Sequence, residues 1–176
     1  MAERRPFDSA QGAVPSIVEG RQRLSAVLIA KDEEPRIARC LESVAGWADE
    51  IVVVDGMSTD RTVEICKRYG ARVIERPFSG SFGEERNAGA DAASGEWVLQ
   101  LDGDDVVSEE LRGAITRLLT EGSPHAAFNL RRKNNFLGHW MRHGGWHHYN
   151  HTLYRKPACR FKGRVRNLDF VVRFIL

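Results

Sequence analysis

Long apolar runs are missing from this chain of 176 residues. None reaches the roughly 18 residues that a membrane-spanning helix needs. The stretch from Met1 to Arg23 lacks the apolar segment of a secretory signal. Cysteine is scarce: Cys40, Cys66 and Cys159 are odd in number and widely spaced. That excludes a disulfide framework and a zinc ribbon, and it fits a reducing cytoplasm. No Gly-x-Gly-x-x-Gly follows any candidate strand, which argues against a dinucleotide oxidoreductase. No internal repeat is visible.

Acid is scarce at one end. Residues 124–176 hold 11 Lys and Arg against one acid, Asp169, a net +10. Residues 1–123 hold 15 against 23, a net −8. All six histidines lie in the basic part. Such asymmetry points to an anionic partner or a membrane surface. Nucleic acid is disfavoured, because no DNA- or RNA-binding motif accompanies the basic residues.

What is present is ordinary globular composition, 42% hydrophobic and 28% charged, enough for one domain with a real core. Residues 1–23 read as a flexible lead-in, and the next hundred have a regular rhythm. Leu24–Ala30, Ile51–Val54, Ala71–Glu75 and Trp97–Leu101 are short apolar runs of the kind found in buried strands. Helical spacing follows each one: Ile37, Leu41 and Val44; Val63 and Cys66; an Ala-rich stretch over 84–94; and Leu111, Ile115, Leu118 and Leu119 behind a Ser108 cap. Gly80–Gly83 reads as a loop. Four strand–helix units predict an α/β three-layer sandwich with a mostly parallel sheet, Rossmann-like in layout. The segment 124–176 breaks the rhythm, with short strands expected over 125–131, 149–155 and 158–162.

In parallel sheets of this kind, ligands bind beyond the carboxyl ends of the strands. Three of those ends carry acids: Asp32, Glu33 and Glu34; Asp55; and Asp102, Asp104 and Asp105. Crowded carboxylates repel unless a cation or hydrogen-bond donors share the site. Asp102-Gly103-Asp104 is the sharpest feature. Residues i and i+2 of a strand point the same way, so both carboxylates can serve one ion, and hard oxygen donors favour Mg2+ or Mn2+. Asp55 suits a nucleobase N–H or ribose hydroxyl, with turn formation as the alternative. Asp60 reads as a capping residue. Arg86 stands among the acids and suits a diphosphate, or else a surface ion pair with Glu84 or Glu85. His139, His143, His147 and His151 recur every fourth residue, but Gly144-Gly145 interrupts any helix, so a zinc site is not expected. Trp140 and Trp146 read as core, with sugar stacking as the alternative.

The run LSAVLIAKDEEPRIARCLESVAGWADEIVVVDGMSTDRTVEICKRYGARVIERPF, followed by ERNAGADAASGEWVLQLDGDD, resembles family 2 glycosyltransferases of the GT-A fold. RRKNNFLGHWMRHGGW resembles the branch that includes lipopolysaccharide-core glucosyltransferases. The resemblance implies inverting transfer of a sugar from a nucleotide diphosphate, most readily a UDP-sugar, to a hydroxyl of a glycolipid or cell-envelope glycan. It implies a nucleotide-sugar pocket lined by Ala30, Glu33, Asp55, Arg86, Asn87 and Asp102. It also implies Mg2+ or Mn2+ at Asp104 and Asp102. Two positions depart from the usual pattern: Asp32 stands where the family often has Asn, and Met57 where it often has Gly.

The resemblance further implies a carboxylate base late in the chain. Arg166 and Asn167 stand where relatives tend to carry His and Glu, which leaves Asp169 as the candidate base. The chain also ends where family members continue, so a C-terminally truncated or frame-altered member is expected. The alternative activity is that of a remnant module that binds nucleotide sugar without efficient transfer. Residues 24–123 would form the nucleotide half. Residues 124–176 would form an incomplete acceptor side at the inner membrane face of the cytoplasm.

Overall fold

The computed structural model describes residues 20–131, 135–136, 139–140, 149–162 and 169–172. The lead-in through residue 19, His143, Trp146, His147 and the stretch 163–168 with Arg166 and Asn167 lie outside the described residues.

Four parallel strands form the centre: β1 (Leu24–Ala30), β2 (Glu50–Asp55), β3 (Arg72–Glu75) and β4 (Trp97–Asp102). The helices α1 (Ile37–Val44), α2 (Thr62–Arg68) and α3 (Phe82–Ala92) connect them, and α4 (Glu109–Glu121) follows β4. β5 (Ala127–Arg131) comes next, and β6 (Asn135–Phe136) pairs with β7 (His139–Trp140). β8 (Tyr149–Arg155) then enters the main sheet antiparallel to β4, and β5 pairs along its outer edge. The strand order is β3-β2-β1-β4-β8-β5. β9 (Cys159–Lys162) and β10 (Asp169–Val172) form a separate antiparallel pair that sets Asp169 opposite Lys162.

The pleat sorts the core into two layers. Leu24, Ala26 and Leu28 of β1, Ile51 and Val53 of β2, and Trp97, Leu99 and Leu101 of β4 face α1, α2 and α4. Val27, Val52 and Val98 face the other way and meet Ala90 and Ala93 at α3, with Cys159 and Phe161 of β9. Helices therefore cover both faces, as a parallel sheet requires. Gly89 lets α3 lie close against the sheet, because a Cβ there would stand 2.5 Å from Val27 Cγ1.

The strands fall where the apolar runs predict. Helix α3 begins two residues early, inside the expected loop. Ser81 Oγ accepts the Glu84 N–H at its N-terminus, and a serine between glycines hides this cap. The Ser108 cap is present, accepting from Leu111 N–H. Burial keeps all three cysteines as free thiols and pushes Cys66 and Cys159 up to about 11. Among the described residues, no helix is long and apolar enough to cross a membrane.

Candidate active site

Two loops at the carboxyl rim are fastened side chain to backbone. Three consecutive N–H groups after β1, those of Asp32, Glu33 and Glu34, donate to Ser58 Oγ, Thr62 Oγ1 and Asp60 Oδ2 at 2.8, 2.8 and 3.0 Å. In return, Thr59 N–H donates to Asp32 Oδ1 at 2.7 Å and Arg61 N–H to Glu34 Oε2 at 3.0 Å. The Arg61 guanidinium also grips Glu34 Oε1. That hydrogen-bonded pair holds the Glu34 carboxyl below its ordinary range. Lys31 Nζ ties the β2 loop through the Gly56 and Met57 carbonyls. The signal was in the sequence as Ser58, Asp60 and Thr62 at alternate positions. Only the parallel pairing of β1 with β2, however, sets them beside 32–34.

Most of the rim acids are therefore neutralised by hydrogen-bond donors. Asp55 is 1% exposed. Its Oδ2 accepts Ser58 N–H at 2.8 Å and its Oδ1 accepts Ser58 Oγ–H at 2.5 Å. The carboxylate closes its own turn. Asp60 closes the turn ahead of α2, accepting from both Thr62 N–H and Thr62 Oγ–H, while the N-cap position itself, Arg61, has no side-chain cap. The Glu33 carboxylate pairs with Arg36 at 2.9 Å, and its stem covers Gly103, where a Cβ would stand 3.1 Å from Glu33 Cγ. Ala30 is buried, and its carbonyl accepts Gly56 N–H at 2.8 Å.

The acids after β4 are arranged differently. The chain turns at Gly103, with Asp105 N–H bonded to the Asp102 carbonyl at 3.0 Å and Asp102 N–H to Asp105 Oδ2 at 2.9 Å. Asp102 and Asp104 therefore do not share a strand face as the alternation predicts, because strand geometry ends at Asp102. Strand parity puts Asp102 on the Val98 side, facing α3, and Asp55 on the Ile51 and Val53 side. Arg86 of α3 consequently meets Asp102, with Nη2 to Oδ1 at 2.7 Å, rather than Glu84 or Glu85. Asp104 is exposed and has no hydrogen-bond or ion-pair partner among the described residues.

That donor set fits a hard divalent ion. One open carboxylate beside a second suits Mg2+ or Mn2+, which take the rest of their shell from phosphate and water. Among the described residues, no three His, Cys, Asp or Glu side chains gather as a preformed metal cluster.

The Asn87 amide holds the backbone of Phe161 by two hydrogen bonds. Sequence reasoning gave Phe161 no role at the site, yet its ring lies 5.7 Å from Arg86 Cζ. Asp169 is in β10, at the Lys162 register.

The family model for "Glycosyl transferase family 2" matches residues 25–174. The chain belongs to this family. An uncharacterized glycosyltransferase of Rickettsia typhi is 43% identical over 94 residues, covering 53% of this chain and 32% of the relative. Glycosyltransferase SunS of Bacillus subtilis is 27% identical, covering 80% of this chain and 40% of that protein. The chain thus spans about a third of the length of the Rickettsia relative. Among solved structures, glucosyl-3-phosphoglycerate synthase from Mycobacterium tuberculosis, in complex with Mn2+ and UDP-glucose, is similar. Its TM-score is 0.52 at 27% identity, over 60% of this chain and 42% of that one. TarS from S. aureus shares the fold, with a TM-score of 0.57 at 24% identity over 80% of this chain and 50% of that chain. The mostly parallel α/β sheet of this family 2 chain is that of its GT-A neighbours.

Proposed function

We propose that this chain transfers a sugar, with inversion, from a UDP-sugar to a hydroxyl of a glycolipid or cell-envelope glycan, in the manner of the lipopolysaccharide-core branch. The observation that carries the reading is the Asp104 carboxylate after β4, which lies next to the Arg86–Asp102 pair, is exposed and has no hydrogen-bond or ion-pair partner among the described residues. The glucosyl-3-phosphoglycerate synthase solved with Mn2+ and UDP-glucose supports it.

In this reading Asp104 and Asp102 hold Mg2+ or Mn2+. The ion supplies charge stabilisation for the leaving diphosphate. The fastened loops at 31–34 and 56–62 form a rigid wall, with Asp55 keeping its shape, so little ordering is needed when nucleotide binds. Glu33 and the Ala30 main chain lie at the foot of that wall. Arg86 presents a planar fork suited to phosphate oxygens. Asp169 is the candidate base that takes the acceptor hydroxyl proton. The chain works in the cytoplasm, with its basic segment toward the inner membrane face. Arg155, Lys156 and Arg160 already have internal partners, so that contact falls to the other basic residues.

A second reading rests on Arg166 and Asn167, which stand where the resemblance leads one to expect His and Glu. It is a module that binds nucleotide sugar without efficient transfer. A thermal-shift panel of nucleotide sugars, with and without Mg2+ or Mn2+, followed by transfer of labelled sugar, separates the readings. Binding with transfer supports the first, and binding alone the second. No shift with any nucleotide would sink both.

A further inference from the structure

Asn87 Nδ2 donates to the Phe161 carbonyl at 2.9 Å, and Phe161 N–H donates to Asn87 Oδ1 at 3.0 Å. A side-chain amide that mates with both main-chain groups of one residue acts as a neighbouring strand would. It fixes the position of that residue and its rotation about the chain. The residue so fixed carries the ring next to Arg86, which precedes Asn87 on α3. The ring centroid lies 5.7 Å from Arg86 Cζ, within cation–π range. Arg86 in turn reaches Asp102 Oδ1 at 2.7 Å, with its side chain 15% exposed. Tyr154 meets the same ring edge-on, with centroids 6.0 Å apart. A continuous path therefore runs from α3, through β9, back to α3 and on to the acid end of β4.

We infer that Asn87 is a positioning residue, whose grip on the Phe161 backbone sets the ring against Arg86 and so holds the guanidinium at Asp102. β9 has a second attachment to α3, the Arg160–Asp91 pair with contacts of 2.6 and 2.9 Å. Both of its side chains are more than half exposed, and it involves neither Phe161 nor Arg86. It is the built-in control, because its loss loosens β9 without touching the path to Asp102. The inference rests on the glycosyltransferase reading only for what Arg86 serves, the donor diphosphate.

The test has a ligand-free arm and a kinetic arm. By NMR, ring-current shifts on the Arg86 side-chain signals are expected in the unmodified chain. They should vanish in Phe161→Leu, shrink in Asn87→Ala and persist in Asp91→Ala. In turnover, Asn87→Ala is expected to raise KM for the UDP-sugar about tenfold with little change in kcat. The double variant Asn87→Ala/Phe161→Leu should be no worse than Phe161→Leu. If Asn87→Ala does not fold, Asn87→Asp, which keeps the acceptor and loses the donor, is read the same way. Unchanged Arg86 signals in the Asn87 variant, or an equal effect of Asp91→Ala, would overturn the inference. A chain that neither binds nor transfers sugar nucleotide defeats the glycosyltransferase reading, while the Arg86 signals still decide the role of Asn87.

Discussion

Asp32 and Met57 share left-handed backbone, with φ of 51° and 62°, on two loops that are hydrogen-bonded to each other. The resemblance to family 2 glycosyltransferases leads one to expect Asn and Gly at these positions. Asn and Gly are the residues that enter this region at least cost. Asp32 offsets its strain locally, since Oδ1 accepts both Thr59 N–H and Thr59 Oγ–H. Met57 has no such side-chain bond. Its carbonyl is held by Lys31 at 3.2 Å and its side chain is half exposed.

Met57→Gly is therefore expected to be more stable than Met57→Ala by about 1 kcal/mol, although glycine is normally the weaker choice. Urea denaturation of the pair checks it. An alanine variant as stable as the glycine variant would mean that the left-handed conformation is not held in solution.

Ser58→Ala removes the donor to Asp55 Oδ1 and the acceptor for Asp32 N–H. Asp55 is buried, so the loss is expected to cost about 1–3 kcal/mol of stability and to speed amide exchange in the 31–34 loop. Hydrogen exchange confined to the β2 loop would show that the two loops are not one unit.

Asp104→Ala should leave the melting temperature almost unchanged, because this exposed side chain has no partner among the described residues to lose. It should weaken Mn2+-dependent UDP binding by at least about tenfold, roughly 1.4 kcal/mol. Calorimetry with and without Mn2+ is the measurement. Equal affinity in the two proteins would remove Asp104 from the metal assignment.

Glu50 gives a pH dependence. Burial alone would raise its carboxyl, but hydrogen bonds from Ser94 N–H, Ser25 Oγ and Ser94 Oγ outweigh it, and the group titrates below its ordinary value of 4.5. A depressed carboxyl contributes stability that is fully present above the unfolded value and is lost as pH falls through the folded one. Glu50→Gln should be less stable than the parent at pH 7, and the gap should narrow below about pH 4.5. A gap that stays constant to pH 3 would contradict this.

Periodicity over Leu24–Ala30, Ile51–Val54 and Trp97–Leu101 was enough for the parallel α/β sheet, because buried strands and one-sided helices write their burial locally. The acids of the rim were legible as residues near strand ends. Their employment was not. Asp55 and Asp102 lie at the ends of β2 and β4, both paired with β1, yet strand parity turns them to opposite faces. A turn at Gly103 ends the alternation before Asp104.

By itself the sequence determined the order of the elements, their buried faces and the gathering of carboxylates at one rim. These follow from side-chain polarity at fixed spacing along the chain. Only the tertiary structure decided which carboxylates are neutralised and which stays open. Ser58 and Asp32 lie 26 residues apart, Arg86 and Asp102 16, and Asn87 and Phe161 74. A hydrogen bond takes whichever donor the folded sheet brings within about 3 Å, and no local pattern specifies that partner.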